Sequence, residues 1–282
     1  AVFLACPVFT TCGNLGLWYG PRMDYYDNPA ISHSKLKVIE RSPAHFKYAL
    51  DAPNISSDAL TLGSLVHAMV LEPHTVDGTF MRAGKIDRRT KEGKQQWLEL
   101  QEQDKTVVKA DAWETAERMA EAVEKCPAAR SLVDEAIAMN AVEVEYFWDD
   151  HRYKDHQNNP VSRKAKVDAL TEHSIVDLKT TMDASRGFSK SILKYFYHTQ
   201  GAYYREAVRS QGGKQSDFRI IAIEKTAPYG ISIVRLDHEI LDWAEKKVRS
   251  WFEVYASCAA NESWPGFMGV SNFEKPAWAD ND

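Results

Sequence analysis

The stretch "SIVDLKTT", residues 174–181, sets an aspartate and a lysine two positions apart inside a run that otherwise reads as a buried β-strand. Side chains on a strand alternate between faces, so Asp177 and Lys179 share one face and Val176 and Leu178 the other. Just upstream, across the polar turn "TEHS", lies a second strand-like run, "RKAKVDAL", and the two together read as a hairpin. With the turn centred between Glu172 and His173, antiparallel partners sum to 345, which sets Asp168 opposite Asp177 and Lys166 opposite Lys179. Like charges directly across a sheet destabilise it, so a positive group is expected between the two carboxylates. Hard divalent cations take carboxylate oxygens, and one or two carboxylates with several waters suffice for Mg2+. Lys179 can orient a water or stabilise charge on a phosphate oxygen. This is equipment for metal-assisted phosphodiester hydrolysis. On these residues alone, a solvated edge strand carrying an ordinary ion pair is an equal alternative.

The rest of the chain bounds what that hairpin can belong to. The chain has 282 residues, 44% of them hydrophobic, enough for one sizeable core. The net charge of -5 gives no general attraction to nucleic acid, so any basic surface has to be local. Cys6, Cys12, Cys126 and Cys258 are scattered without a CxxC pair. They are therefore expected to be reduced thiols in a cytoplasmic protein, not a zinc knuckle or a disulfide framework. The first twenty residues carry no charge, yet they lack a basic start, and prolines and glycines break the apolar run, so no secretory leader is expected. No other segment is long and apolar enough to span a membrane. The readable pattern starts near Met23, which leaves residues 1–22 as an uncertain tail before one domain over 23–282. Within it, 30–140 read as helical and 141–260 as a sheet with helices.

Helix signals come first. Ser32 or Ser34 caps a short helix that Pro43 stops, and "SDALTLGSLVHAMVLEP" is a buried helix between a cap at Ser57 or Asp58 and Pro73. Residues 78–94 read as an exposed basic loop leading into a helix at "KQQWLELQEQ", and a helical pair over 110–139 breaks at "CPAA". Strands follow at "AVEVEYFW" and in the hairpin, then a helix over 192–210, strands "DFRIIAIEK" and "GISIVRL", and a helix over 237–260. That order predicts an α/β fold with a mixed central β-sheet flanked by helices. "DDHRYKDH", residues 149–156, has metal-capable side chains but reads as a polar loop between strands.

"VDAL" nine residues ahead of "VDLKTT" resembles the core of the PD-(D/E)XK nucleases, a restriction-endonuclease-like fold. "GSLVH" (63–67) resembles the G-x-x-x-H helix motif of their RecB-like branch, and "QGAYY" (200–204) its Q-x-x-x-Y motif. Each motif is weak alone; four in the right order on the right element types are specific. Over about residues 25–278 the chain is most similar to the exonuclease VIII (RecE-type) phage recombination nucleases, through "YYDNPAISHSKLKVIERSPAHF", "LTLGSLVHAMVLEP", "DRRTKEGK" and "WPGF".

The resemblance implies metal ligation by His67, Asp168, Asp177 and an upstream glutamate. Glu143 matches the family position, with Glu145 left open because alternation puts both on one face. It implies catalytic roles for Asp168, Asp177, Lys179, Gln200 and Tyr204, the last two sharing a helix face from which they can reach the lysine or a DNA phosphate. It implies Mg2+, or Mn2+ in its place, with one or two ions, and an exonuclease that resects linear double-stranded DNA 5'→3'. The 3' overhangs would serve a single-strand annealing partner, and a ring-shaped homo-oligomer is the family expectation. Lys85, Arg88, Arg89, Lys91 and Lys94 are expected at the DNA backbone, with Arg163 and Lys164 beside the hairpin. The iron-sulfur cluster of some RecB-like nucleases needs three closely spaced late cysteines, and Cys258 alone predicts its absence. A non-catalytic DNA-end or partner-binding relative, and an endonuclease or nickase on the same fold, are the alternatives.

Overall fold

The computed structural model describes residues 24–52, 57–84, 86–87, 89–215, 217–267 and 269. The tail 1–22 with Cys6 and Cys12, and the basic-loop residues Lys85 and Arg88, lie outside the described residues.

The chain opens with α1 (His33–Leu36), a 3-10 turn (Lys37–Glu40) and α2 (Pro43–Asp51). Pro43 starts α2 instead of stopping its predecessor. At the first helical position the missing N–H costs nothing, and the Ser42 side chain accepts from His45 N. Next comes α3 (Asp58–Leu71), capped by Ser57 accepting from Leu60 N and burying Leu65, Val66, Val70 and Leu71. After α4 (Val76–Thr79), the expected loop begins with β1 (Phe80–Arg82) and runs into α5 (Lys91–Gln101). β1 pairs in parallel with β2 (Thr106–Val108) as a small sheet of its own. α6 (Ala110–Lys125) and α7 (Pro127–Ala138) break at Cys126, where Pro127 starts the second helix.

The main sheet has the order β3 (Val142–Lys154), β4 (Pro160–Leu170), β5 (Ser174–Thr181), β6 (Asp217–Glu224), β7 (Ile231–Leu236). Only β5 and β6 run parallel, joined by the crossover of α8 (Phe188–Lys194) and α9 (Tyr197–Ser210); α10 (His238–Ala260) follows, capped by Asp237. The fold is a mixed, mostly antiparallel sheet flanked by helices, and the strand carrying Asp177 and Lys179 is central, not an edge. Two corrections concern element bounds. β3 continues through residues 149–154, where a loop was expected, because Asp149 and Asp150 pair with Ser162 and Val161 of β4. The single helix expected over 192–210 is two, broken at Phe196, whose φ of 62° is left-handed.

One face of the sheet packs Val176, Leu178, Ile221 and Ile223 against α3, α6 and α7. The other packs Ile175, Ile220 and Ala222 against α8 and α9, continuing into a cluster that joins α1, α2, α9 and α10 through Leu36, Phe46, Tyr203 and Phe252. Among the described residues no helix is long and apolar enough to cross a membrane.

Candidate active site

β4 and β5 keep the expected register where they pair, Ala169 with Val176 and Leu170 with Ile175. Beyond Ala169 they part. The Asp168 carboxylate accepts the Leu178 N–H at 2.8 Å, a side chain standing where a ladder hydrogen bond would be. The two aspartates are therefore not a flat cross-strand pair, and Lys166 does not oppose Lys179 but bonds Glu143 at 3.1 Å.

A second irregularity, on β3, meets the first. Val142 pairs with Ala169, and both pack toward α3 and α7; Val144 pairs with Val167, and both pack toward the opposite face. Residues two apart on a regular strand share a face, so the alternation is interrupted on both strands, at Glu143 and Asp168. Glu143 has a left-handed φ of 49°. For a residue with a side chain this costs of order 1–3 kcal/mol and is typical of functional sites. The interruption separates Glu143 from Glu145: the former turns into the site, half-buried, and the latter is exposed.

α3 supplies the third group. His67 lies with Nδ1 3.5 Å from Asp168 Oδ2 and 3.9 Å from Glu143 Oε1, and its Nε2 is 2.9 Å from the Leu178 carbonyl. Donating Nε2–H to that carbonyl leaves Nδ1 facing the carboxylates. Such a backbone hydrogen bond is how metal-binding histidines are usually oriented. Ligand atoms of His67, Glu143 and Asp168 all lie within 4.8 Å of one another. Burial opposes the imidazolium, but Asp168 and Glu143 raise the His67 pKa above its ordinary value. For Glu143, burial is outweighed by His67 and Lys166, which hold the carboxyl below its ordinary range.

Asp177 and Lys179 stand beside this trio. Asp177 is fully buried; its Oδ2 is 2.6 Å from Lys179 Nζ but accepts no well-aligned hydrogen bond, and its Oδ1 accepts from Gln200 Nε2 at 3.0 Å. Expected as a ligand, it faces Lys179 and Gln200 and does not belong to the three-residue group. Burial, with the Asp168 charge adding to it, pushes its pKa up to about 6 against the pull of Lys179. Lys179 stays protonated, since Asp177 and Asp168 raise its pKa against burial. Gln200 also donates to the Tyr204 hydroxyl at 3.0 Å. The two residues one turn apart on α9 thus form a relay to Asp177, and neither bonds the lysine.

Three carboxylates share this pocket with two lysines. That donor set, two facing carboxylates and an oriented imidazole in an acid-rich pocket, fits a hard divalent cation.

The basic residues behave differently. Arg89 is exposed and pairs with Asp87 at 3.0 Å; Lys91 and Lys94 are exposed on the first turn of α5. Arg163 and Lys164, expected at the DNA, are corrected to the interior. The Arg163 guanidinium is buried between Trp148, Tyr203 and Phe252 and pairs with Asp150 and Glu206, each at 2.7 Å. Lys164 donates to the carbonyls of Tyr25 and Asn28 at 2.6 Å each, which fastens the N-terminal segment to β4.

Comparison with known proteins bears on the family and the fold. The family described as "PDDEXK-like domain of unknown function (DUF3799)" matches residues 32–276. Among solved structures, a protein of Eubacterium rectale named as a candidate exonuclease is similar with a TM-score of 0.61 at 18% identity, over 86% of this chain and 88% of that one. No curated protein sequence matches.

Proposed function

Because the chain belongs to the PDDEXK-like DUF3799 family, and through it to the PD-(D/E)XK superfamily, we propose that it is a divalent-metal-dependent deoxyribonuclease, acting as an exonuclease on linear double-stranded DNA. The observation that carries this reading is the convergence of His67, Glu143 and Asp168 within 4.8 Å, next to the Asp177–Lys179 pair.

His67, Glu143 and Asp168 would hold Mg2+, or Mn2+, with Asp177 adjoining. A bound divalent cation lowers the pKa of a water and offsets charge on the phosphate oxygens. The chain's own groups do the rest. The Lys179 ammonium faces the scissile phosphate and the attacking water, where it stabilises the charge that grows on the phosphate oxygens. Gln200, braced by Tyr204, holds Asp177 so that its second oxygen stays toward Lys179. A Cβ on Gly63 would meet nothing within 4 Å, so packing does not require glycine there, and the room suits a close approach of DNA. Lys85, Arg88, Arg89, Lys91 and Lys94 would grip the phosphate backbone.

The finer reading rests on the RecE-type motifs. It comprises 5'→3' resection that leaves 3' overhangs for a single-strand annealing protein, and a ring-shaped homo-oligomer in the cytoplasm. Linear duplex labelled at either the 5' or the 3' end, and a covalently closed circle, are each incubated with Mg2+. Early release of the 5' label with the circle intact is expected; nicking of the circle would replace the exonuclease with an endonuclease.

A further inference from the structure

The break between α8 and α9 exposes an aromatic step beside the lysine. Phe196, with its φ of 62°, is a bulky residue in left-handed backbone, a conformation such residues rarely adopt. Its ring turns inward, 5.5 Å from that of Trp251. The residues on either side turn elsewhere. The Tyr197 ring lies 5.2 Å from Lys179 Nζ, and the Tyr195 ring sits 5.9 Å from Tyr197, tilted by 35° and 47% exposed. Two aromatic rings thus lead from solvent to the Asp177–Lys179 pair: Tyr197, half-buried at the edge of the core beside Phe188, and Tyr195, which packs in none of the core clusters.

A basic stripe runs up to the same point. Arg186, Lys190 and Lys194 recur every four residues, all exposed, and Lys190 and Lys194 share one face of α8. No acidic residue occurs between Ala184 and His198, and none of the three cations is ion-paired among the described residues. Lys194 Nζ lies 5.4 Å from the Tyr195 ring. Cations that follow a backbone, leading to aromatic faces on which bases stack, are how proteins hold single strands irrespective of sequence.

We propose that Tyr195 and Tyr197, reached along Arg186, Lys190 and Lys194, form a stacking step that receives an unpaired nucleotide of a DNA strand next to the scissile phosphate. The inference deepens the nuclease reading and rests on it. A base taken out of the duplex onto Tyr195 would present its phosphate to Lys179 already free of its complement, so the strand is separated where it is cut.

The test uses a short single-stranded oligodeoxynucleotide carrying 2-aminopurine near its 5' end, bound without divalent cation so that no cutting intervenes. The wild-type protein should quench the fluorophore. Tyr195→Ala should lose the quench and bind ~10-fold more weakly, as expected for loss of one base–aromatic stack. Tyr195→Phe should restore both, and Lys190→Ala/Lys194→Ala should flatten the salt dependence while keeping the quench. Tyr195 is exposed, so the alanine variant should fold as wild type, checked by circular dichroism. Equal quench and affinity in wild type and Tyr195→Ala overturn the stacking step. Digestion of linear duplex in Mg2+ is measured in parallel: a wild type that digests but does not quench loses only the step, whereas one that does not digest loses the nuclease reading as well.

Discussion

β4 carries two buried charge clusters five residues apart, and they are built on opposite principles. At Arg163, two arginines meet two carboxylates: Arg163 and Arg152 each pair with both Asp150 and Glu206, and three aromatic rings close over the guanidinium of Arg163. Charge is balanced, and solvent is kept from Arg163 and Asp150, with Arg152 closing the cluster from the surface. At Asp168, three carboxylates face two lysines, one carboxyl is pushed up to about 6, and a backbone residue is held left-handed. The first cluster is complete without anything added. On the proposed reading a cation and a phosphate complete the second, and strain and uncompensated charge of this kind accumulate where chemistry is done.

Exchanging the fates of the two clusters is the strongest way to break this contrast. Asp168→Asn keeps an oxygen to accept the Leu178 N–H, so the fold should persist, while nuclease activity falls by about 10²–10³-fold or more with the loss of a charged ligand. Arg163→Ala should do the reverse. Leaving Asp150 and Glu206 short of a partner should cost roughly 3–5 kcal/mol in urea denaturation, with activity per folded molecule nearly unchanged. If both variants lost activity and stability together, the division between them would be wrong.

A finer comparison sets Glu143 against Glu145. Glu143→Gln should raise the Mg2+ concentration for half-maximal activity by about 10-fold or more, on the scale of losing metal-site groups, whereas Glu145→Gln should leave it unchanged. Metal titration of the two variants measures this.

The smallest expected effect concerns acid. Burial raises the Asp150 pKa, but Arg152 and Arg163 more than offset it and hold the carboxyl below its ordinary value. A depressed carboxylate contributes stability that is full above the unfolded value, about 3.9, and is lost as pH falls through the lower folded one. The stability gap between wild type and Asp150→Asn should therefore stay level from neutral pH to about 5 and shrink only below about 4. A gap that widens in acid would contradict the pairing.

Most of the site was legible because its residues recur at fixed spacing on the element types that carry them: "VDAL", "VDLK", "GSLVH" and "QGAYY" each landed on the strand or helix expected. The register of the hairpin was legible beside its turn, at Ala169 and Leu170, but not at Asp168 and Lys166, where the strands have parted. What alternation could not foresee was its own interruption at Glu143 and Asp168, since left-handed backbone at a glutamate leaves no mark in the sequence. Arg163 was misjudged as a DNA contact because Trp148, Tyr203 and Phe252, which bury it, are distant in the chain. A signal was nevertheless available: Val161, Arg163, Ala165 and Val167 fall on one face by period two, and an arginine in an otherwise apolar row points to burial. β1 and β2, three residues each, are too short to show any period.

The central claim is that the Asp177–Lys179 pair performs phosphodiester hydrolysis beside a divalent cation. The direct measurement is release of nucleotides from linear duplex DNA by the wild-type protein, Asp177→Ala and Lys179→Ala, each with Mg2+ and with chelator. The account predicts release by the wild type in Mg2+ alone and none by either folded variant; undiminished digestion by both variants would contradict it.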